Sequence, residues 1–216
     1  MTAIVQFLIS LDQSVFKAIN SLAGKSSVLN WLARVGADDH IIPIVLALLV
    51  LLVVLLPSDR QARELAFTCL ICTIIAIVMS MVILFILNGA FFRPRPFTSL
   101  SNVHLLFYHN TDSSFPSNAA TIAFVMAISV LMYNRKVGGV MLALAVYVGL
   151  ARVLCGVHYP LDIVSGAMLG LGSAFLTRAA EPLYRPLAVA LNRATDRLLA
   201  SWQGLPRALP GGGESK

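Results

Sequence analysis

Charge is scarce in this chain. Only 12% of its 216 residues are Asp, Glu, Lys or Arg, against 58% that are hydrophobic, and the mean hydropathy is +0.83. A soluble domain carries about a quarter of its residues charged, so this composition excludes an ordinary soluble globule and indicates an integral membrane protein. Cysteine is equally sparse. Cys69, Cys72 and Cys155 are odd in number and make no disulfide framework. The Cys69–Cys72 pair lies inside an apolar run with neither zinc partners nor a redox fold around it, so the thiols read as small core hydrophobes. The amino terminus lacks a cationic segment followed by an unbroken apolar stretch and a small-residue cleavage site, and does not read as a cleaved signal peptide. No apolar run carries an ionisable residue at mid-depth, where a coupled transporter keeps its ion sites.

What is present is a series of apolar runs, at 41–56, 65–87, 116–133, 137–154 and 160–177. About 20 such residues cross a bilayer, so these five read as spans. The fifth carries Gly166 and Gly170 at the small-xxx-small spacing that lets helices approach closely. In the first forty residues, the apolar stretches 4–11 and 15–22 are interrupted or flanked by Asp12, Gln13, Lys17, Asn20 and Gly24. They read as amphipathic helices lying in or folding back into the interface, with a sixth crossing left open. The predicted fold is therefore an all-α integral membrane bundle of five to six transmembrane helices with an amphipathic N-terminal segment. Its parts are 1–40 (interfacial helices), 41–178 (the transmembrane core) and 179–216 (a cytoplasmic helix and a Pro-, Gly- and Arg-containing tail).

Lysine and arginine set the expected orientation, because loops on the cytoplasmic side carry the excess. Arg60 and Arg63, Arg135 and Lys136, and Arg178, Arg185, Arg193, Arg197 and Arg207 fall in three segments that share one side. Net charge of +6 then reflects topology and calls for no nucleic-acid partner. The opposite, extracytoplasmic side receives the loop 88–117 and the turn 152–160. Its arginines, Arg93, Arg95 and Arg152, are the ones available to a ligand.

Four polar stretches meet on that side: residues 88–96, residues 115–119, Arg152, and His158 with Asp162. Arg95 and Arg152 offer planar forks that match phosphate oxygens two at a time. Arg93 can do the same or anchor to membrane headgroups. Pro94 and Pro96 keep that strand of loop extended. Asp162 lies one helical turn beyond His158, and Pro160 favours a helix start between them. The carboxylate can accept a proton from one ring nitrogen and leave the other to attack phosphorus. Ser117 and Asn118 open a helix, where backbone N–H groups suit an anion and either side chain can act as N-cap; both roles can hold together.

These residues, in this order, resemble the type 2 phosphatidic acid phosphatase superfamily. Its pattern is Lys, six residues, Arg-Pro; then Pro-Ser-Gly-His; then Ser-Arg, five residues, His, three residues, Asp. Arg95-Pro96, Pro116-Ser117, and Arg152 with His158 and Asp162 match it at the right internal spacing over roughly residues 65–172. Within the superfamily the loop 109–117 and the turn 156–162 look most like the BcrC-type undecaprenyl pyrophosphate phosphatases. The resemblance implies a membrane lipid phosphatase that acts on a polyprenyl pyrophosphate at the outer face of the bacterial cytoplasmic membrane. It implies a phosphorylated His158 oriented by Asp162, phosphate binding by the arginines, and no metal or other cofactor. Membrane lipids are the remaining expected partners, and composition says nothing of oligomeric state.

Three departures stand out. The lysine position is Asn88, the serine before Arg152 is Ala151, and the second-motif histidine position is Ala119. The family's histidine there protonates the leaving group, and losing a general acid costs about 10²- to 10⁴-fold. Either the chain is a natural non-catalytic relative or Ala119 replaces an original histidine; the intact remainder of the set favours replacement. His109 can serve as a substitute acid, though loop binding or plain exposure also accounts for it. Competing readings are a phosphatase of another phospholipid or polyprenyl phosphate, and a non-catalytic binder or flippase of polyprenyl phosphate.

Overall fold

The computed structural model describes residues 3–57, 59–109 and 111–203, and every regular element among them is a helix. Arg207 and the glycine-rich end of the tail lie outside the described residues. The helices are α1 (Ala3–Asn20), α2 (Ser27–Ala37), α3 (Ile41–Leu55), α4 (Arg60–Ala90), the single turn α5 (Pro96–Ser99), α6 (Asn118–Leu131), α7 (Arg135–Leu154), α8 (Pro160–Ala179) and α9 (Glu181–Gln203).

Local chemistry sets where they begin. Asp59 Oδ1 accepts the Ala62 N–H at 2.8 Å, Asn134 Oδ1 accepts that of Val137 at 3.1 Å, and Ser117 Oγ accepts that of Ala120 at 3.4 Å. Each satisfies an N–H that the first helical turn leaves open. Pro160 opens α8, where its fixed φ and missing N–H cost nothing. Asp38 Oδ1 accepts the N–H groups of His40 (2.8 Å) and Ile41 (2.9 Å), which starts α3 afresh and bends it by 58° from α2.

The five predicted spans correspond to α3, α4, α6, α7 and α8. Among the described residues only α4, α7 and α8 are singly long and apolar enough to cross a membrane, and α2 with α3 qualifies as a bent pair, giving three or up to four candidate spans where five to six are expected. The helix α6 is shorter than the run 116–133 because the ends of that run are used otherwise: Ser117 is the cap of α6 and Met132 ends it. The 14 residues of α6 reach about 21 Å, short of the roughly 30 Å hydrocarbon core.

That short helix is the hub. Ala123, Met126, Ala127 and Val130 of α6 pack with Leu46 and Val50 of α3, Cys69 of α4, and Met141, Ala145 and Val148 of α7. On its other side lies α8. A Cβ on Gly166 would stand 2.9 Å from the Ser117 carbonyl oxygen and from Thr121 Oγ1, and one on Gly170 would stand 2.9 Å from Val125 N. Only glycine permits this approach, and the spacing read from the sequence marks the α6–α8 seam. The three cysteines are free and buried.

The segments that carry Arg60 and Arg63, Arg135 and Lys136, and Arg178 and Arg185 gather at one end of the bundle. Tyr133 OH donates to Glu181 Oε2 at 2.9 Å, Arg63 Nε to Asn192 Oδ1 at 3.3 Å, and Arg185 Nη2 pairs with Glu64 at 3.3 Å. The start of α4, the α6–α7 turn and α9 are thus adjacent. At the other end, the close of α4 and α7 and the starts of α6 and α8 converge with α1 and the 91–117 segment.

Candidate active site

Two stretches of irregular backbone run side by side beneath the site. Ser114 N–H donates to the Arg93 carbonyl at 2.8 Å, and Arg93 N–H donates to Ser113 Oγ at 3.1 Å. The segment carrying Arg93 and Arg95 is thereby fixed against the segment leading into α6. A third anchor comes from Asn20, which is 3% exposed. Its Nδ2 donates to the His104 and Leu154 carbonyls and its Oδ1 accepts the His104 N–H, each at 2.9 Å.

His158 sits in the turn between α7 and α8 and is 2% exposed. Its Nδ1 lies 2.9 Å from the Ser114 carbonyl, and its Nε2 lies 3.3 Å from Arg95 Nη1. A guanidinium only donates and a carbonyl only accepts. Nδ1 therefore carries the proton and Nε2 presents its lone pair on the arginine side. Burial pushes the His158 pKa below its ordinary value; Asp162 opposes this, and the charges of Arg95 and Arg152 add to it. The ring is neutral at neutral pH.

Asp162, in the first turn of α8, is fully buried. The structure corrects the direct bond expected between it and His158: Asp162 Oδ2 stands 3.7 Å from Nδ1. Ser114 intervenes. Its Oγ donates to Asp162 Oδ2 at 2.5 Å while its carbonyl accepts the hydrogen bond from His158 Nδ1–H. The carboxylate is drawn away because Tyr159 N–H donates to Oδ2 at 2.8 Å and Arg93 Nη1 donates to Oδ1 at 2.6 Å.

Both terminal nitrogens of Arg93 are thus engaged by carboxylates, Nη1 by Asp162. Its second nitrogen, Nη2, donates to Asp12 Oδ2 at 2.5 Å, and its guanidinium lies 3.9 Å above the Tyr159 ring. Arg95 is 4% exposed. Besides His158, it donates to the Val157 carbonyl at 3.0 Å and to Asp112 Oδ1 at 2.8 Å. Arg152, 3% exposed, pairs with Asp39 in the α2–α3 bend and stacks on Phe107 at 5.5 Å. Its Nε is buried with no hydrogen-bond partner among the described residues. Each of these two arginines thus holds one carboxylate from a peripheral segment, in the manner it would hold a phosphate oxygen. Tyr108 OH also donates to Asp39, which clips the bend to the 100–117 loop.

The remaining predicted residues lie at the α6 N-terminus. Asn88 Nδ2 donates to Asn118 Oδ1 at 3.0 Å, so the position where the pattern has lysine does meet the second motif. The Ser117 N–H is not offered to an anion, because it donates to the Asp162 carbonyl at 3.1 Å. That bond ties α6 to α8 and leaves Asn118 and Ala119 as the first-turn residues with N–H groups for a ligand. Ala119 packs at the edge of the α6 core and supplies no proton donor. His109 is exposed and stacks edge-on against Phe97 at 5.0 Å between centroids. Among the described residues no three His, Cys, Asp or Glu side chains converge as metal ligands would.

Asp12, Asp39, Asp112 and Ser114 are among the residues with parts in this geometry to which the sequence motifs assign no role. The polar break at Asp12 in an otherwise apolar helix was a visible signal. For Ser114 the decisive group is a main-chain carbonyl, which every residue has.

Residues 69–184 match the PAP2 superfamily, and the chain belongs to it. It is 32% identical over 164 residues to the bacitracin transport permease protein BcrC of Bacillus licheniformis, an alignment covering 76% of this chain and 77% of that one. It is also 29% identical over 189 residues to the undecaprenyl-diphosphatase BcrC of Bacillus subtilis strain 168, covering 88% and 94%. The fold is similar to that of the crystal structure of Aquifex aeolicus LpxE, with a TM-score of 0.60 and 24% identity over 78% of this chain and 95% of that one.

Proposed function

We propose that this membrane protein is built to remove the terminal phosphate of undecaprenyl pyrophosphate through a phosphohistidine, and that the chain as written is slowed by Ala119. The observation that carries the reading is the state of His158. Its proton is fixed on Nδ1 by the Ser114 carbonyl, and its Nε2 lone pair stands 3.3 Å from the Arg95 guanidinium. A neutral imidazole beside a permanently charged fork is a nucleophile placed where a phosphoryl group binds.

The chemistry follows from that placement. Nε2 attacks the terminal phosphorus while Arg95 and Arg152 neutralise its oxygens. The bond to the bridging oxygen breaks, and the polyprenyl monophosphate leaves with the electron pair. It needs a proton, which the histidine at position 119 supplies in the family pattern. Water then attacks phosphorus, the P–N bond breaks, and orthophosphate leaves with neutral His158 restored. Asp162 is the countercharge that supports the ring while it is phosphorylated.

Pyrophosphate is favoured by two separate guanidinium groups that meet two separate carboxylates, Asp112 and Asp39. It is favoured too by similarity to an undecaprenyl-diphosphatase along 88% of this chain. An extracytoplasmic site on a bacterial cytoplasmic membrane is supported by Arg60, Arg63, Arg135, Lys136, Arg178 and Arg185, which belong to segments at the opposite end of the bundle. Position 119 itself favours one second reading, a non-catalytic binder of polyprenyl phosphate.

Phosphate release from undecaprenyl pyrophosphate by the Ala119→His protein tests the proposal. The expected result is a gain of about 10²-fold or more over the chain as written. No gain, with lipid phosphate still bound, would favour the binder.

A further inference from the structure

Helix α1 reaches into the site through one buried carboxylate. The Asp12 side chain is 0% exposed. Its Oδ1 accepts the Leu161 N–H at 2.8 Å, a first-turn donor of α8, and its Oδ2 accepts Arg93 Nη2 at 2.5 Å. Arg93 Nη1 then donates to Asp162 Oδ1 at 2.6 Å. One turn beyond Asp12, Phe16 packs on Tyr159 at 5.4 Å between ring centroids, on the residue whose ring lies under the Arg93 guanidinium. The sequence Asp12, Arg93, Asp162, Ser114, His158 is continuous in hydrogen bonds.

We propose that Asp12 and Arg93 form a positioning pair that fixes the orientation and the effective charge of Asp162, so that α1 is a working part of the site. The proposal rests on His158 being the nucleophile. Arg93 takes one Asp162 oxygen, which turns the other toward Ser114 Oγ and the Tyr159 N–H and away from direct contact with His158. Asp12 takes half of the Arg93 charge, so Asp162 is only partly neutralised and still supports a charged or phosphorylated ring. A lone guanidinium would cancel Asp162, and no guanidinium would leave two buried carboxylates opposed.

The charged groups facing His158 are Asp162 of α8, Arg95 ahead of α5 and Arg152 of α7. Those facing Asp162 are His158, Arg93, Tyr159 and, through Arg93, Asp12 of α1; Asp112 lies beyond Arg95. In that setting the two members of the pair act with opposite sign. Asp12→Asn leaves Arg93 wholly on Asp162 and lowers the His158 pKa. Arg93→Gln removes the cation and raises it. Each shift is on the order of half a unit, a fraction of the roughly 1–3 units that a charge in direct contact produces.

The test is an NMR titration of His158 in full-length protein labelled at histidine, in detergent micelles, with the resonance assigned by its loss in His158→Gln. Opposite shifts in Asp12→Asn and Arg93→Gln, with Arg93→Lys near the parent, support the pair. Shifts of the same sign, or none, overturn it, since a packing role alone has no reason to change sign. If Asp12→Asn does not fold, the contrast between Arg93→Lys and Arg93→Gln decides by the same rule. The titration needs no turnover. Failure of the Ala119→His protein to release phosphate would therefore remove the nucleophile reading without being confused with failure of the pair.

Discussion

The Ser114 carbonyl accepts the Nδ1 proton of His158 at 2.9 Å, and the hydroxyl of the same serine donates to Asp162 at 2.5 Å. One residue thereby sets the tautomer of the imidazole and carries the link to its carboxylate. The carbonyl survives any side-chain substitution, so the two functions separate by mutation. Ser114→Ala in the Ala119→His background keeps the tautomer and loses the link. A hydrogen bond to a charged group is worth about 1.5–3 kcal/mol, so kcat should fall roughly 10- to 100-fold with KM little changed, measured by phosphate release.

The acid limb of the pH profile reports His158. Its folded pKa lies below the ordinary value, with burial as the largest cause, so the ring stays neutral and nucleophilic to lower pH than a free histidine. Activity of the Ala119→His protein should then fall with a midpoint below about 6.5. Arg95 contributes to the lowering, so Arg95→Gln should move the His158 titration upward in an NMR experiment, whatever it does to binding.

Stability carries the same sign. Because the folded pKa is depressed, the unfolded chain takes up the proton first as pH falls below about 6.5, and the native state loses stability from there downward through the folded pKa. His158→Gln should flatten that part of a melting-temperature profile.

The seam between α6 and α8 holds Asp162 against Ser117. A methyl group on Gly166 would meet the Ser117 carbonyl at 2.9 Å, whereas one on Gly172 would meet nothing within 4 Å. Gly166→Ala should cost about 1–3 kcal/mol through overpacking and reduce activity. Gly172→Ala should leave both unchanged, as read from thermal denaturation in detergent and from turnover.

Asp112 and Asp39 occupy the two arginines that phosphate must engage. Their side chains are 54% and 36% exposed, so solvent screening limits each contact to at most about 1 kcal/mol. Asp112→Asn and Asp39→Asn should each tighten inhibition by orthophosphate or vanadate by no more than about fivefold, measured as Ki in the Ala119→His protein.

Much of this site was legible because its motifs are local. Arg152, His158 and Asp162 fall within eleven positions across a single turn, so spacing alone brings them to one place. Gly166 and Gly170 announced the seam in the same way. Asp12 and Arg93 are a different case: they are 81 positions apart, and no periodicity links an amphipathic first helix to a loop after α4. The sequence therefore offers Arg93 as a phosphate ligand or headgroup anchor and gives no sign of its two carboxylate partners, Asp12 and Asp162. The length of α6 is not legible in hydropathy, which does not distinguish the buried cap Ser117 from a span. The bend between α2 and α3 turns on which N–H groups Asp38 accepts, a choice that composition leaves open.

The most direct test is a rapid quench of the Ala119→His protein with undecaprenyl pyrophosphate labelled in its terminal phosphate. An acid-labile, base-stable label on His158, absent from the Ala119→His/His158→Ala protein together with turnover, is the predicted result. Undiminished phosphate release by that double variant would contradict the account.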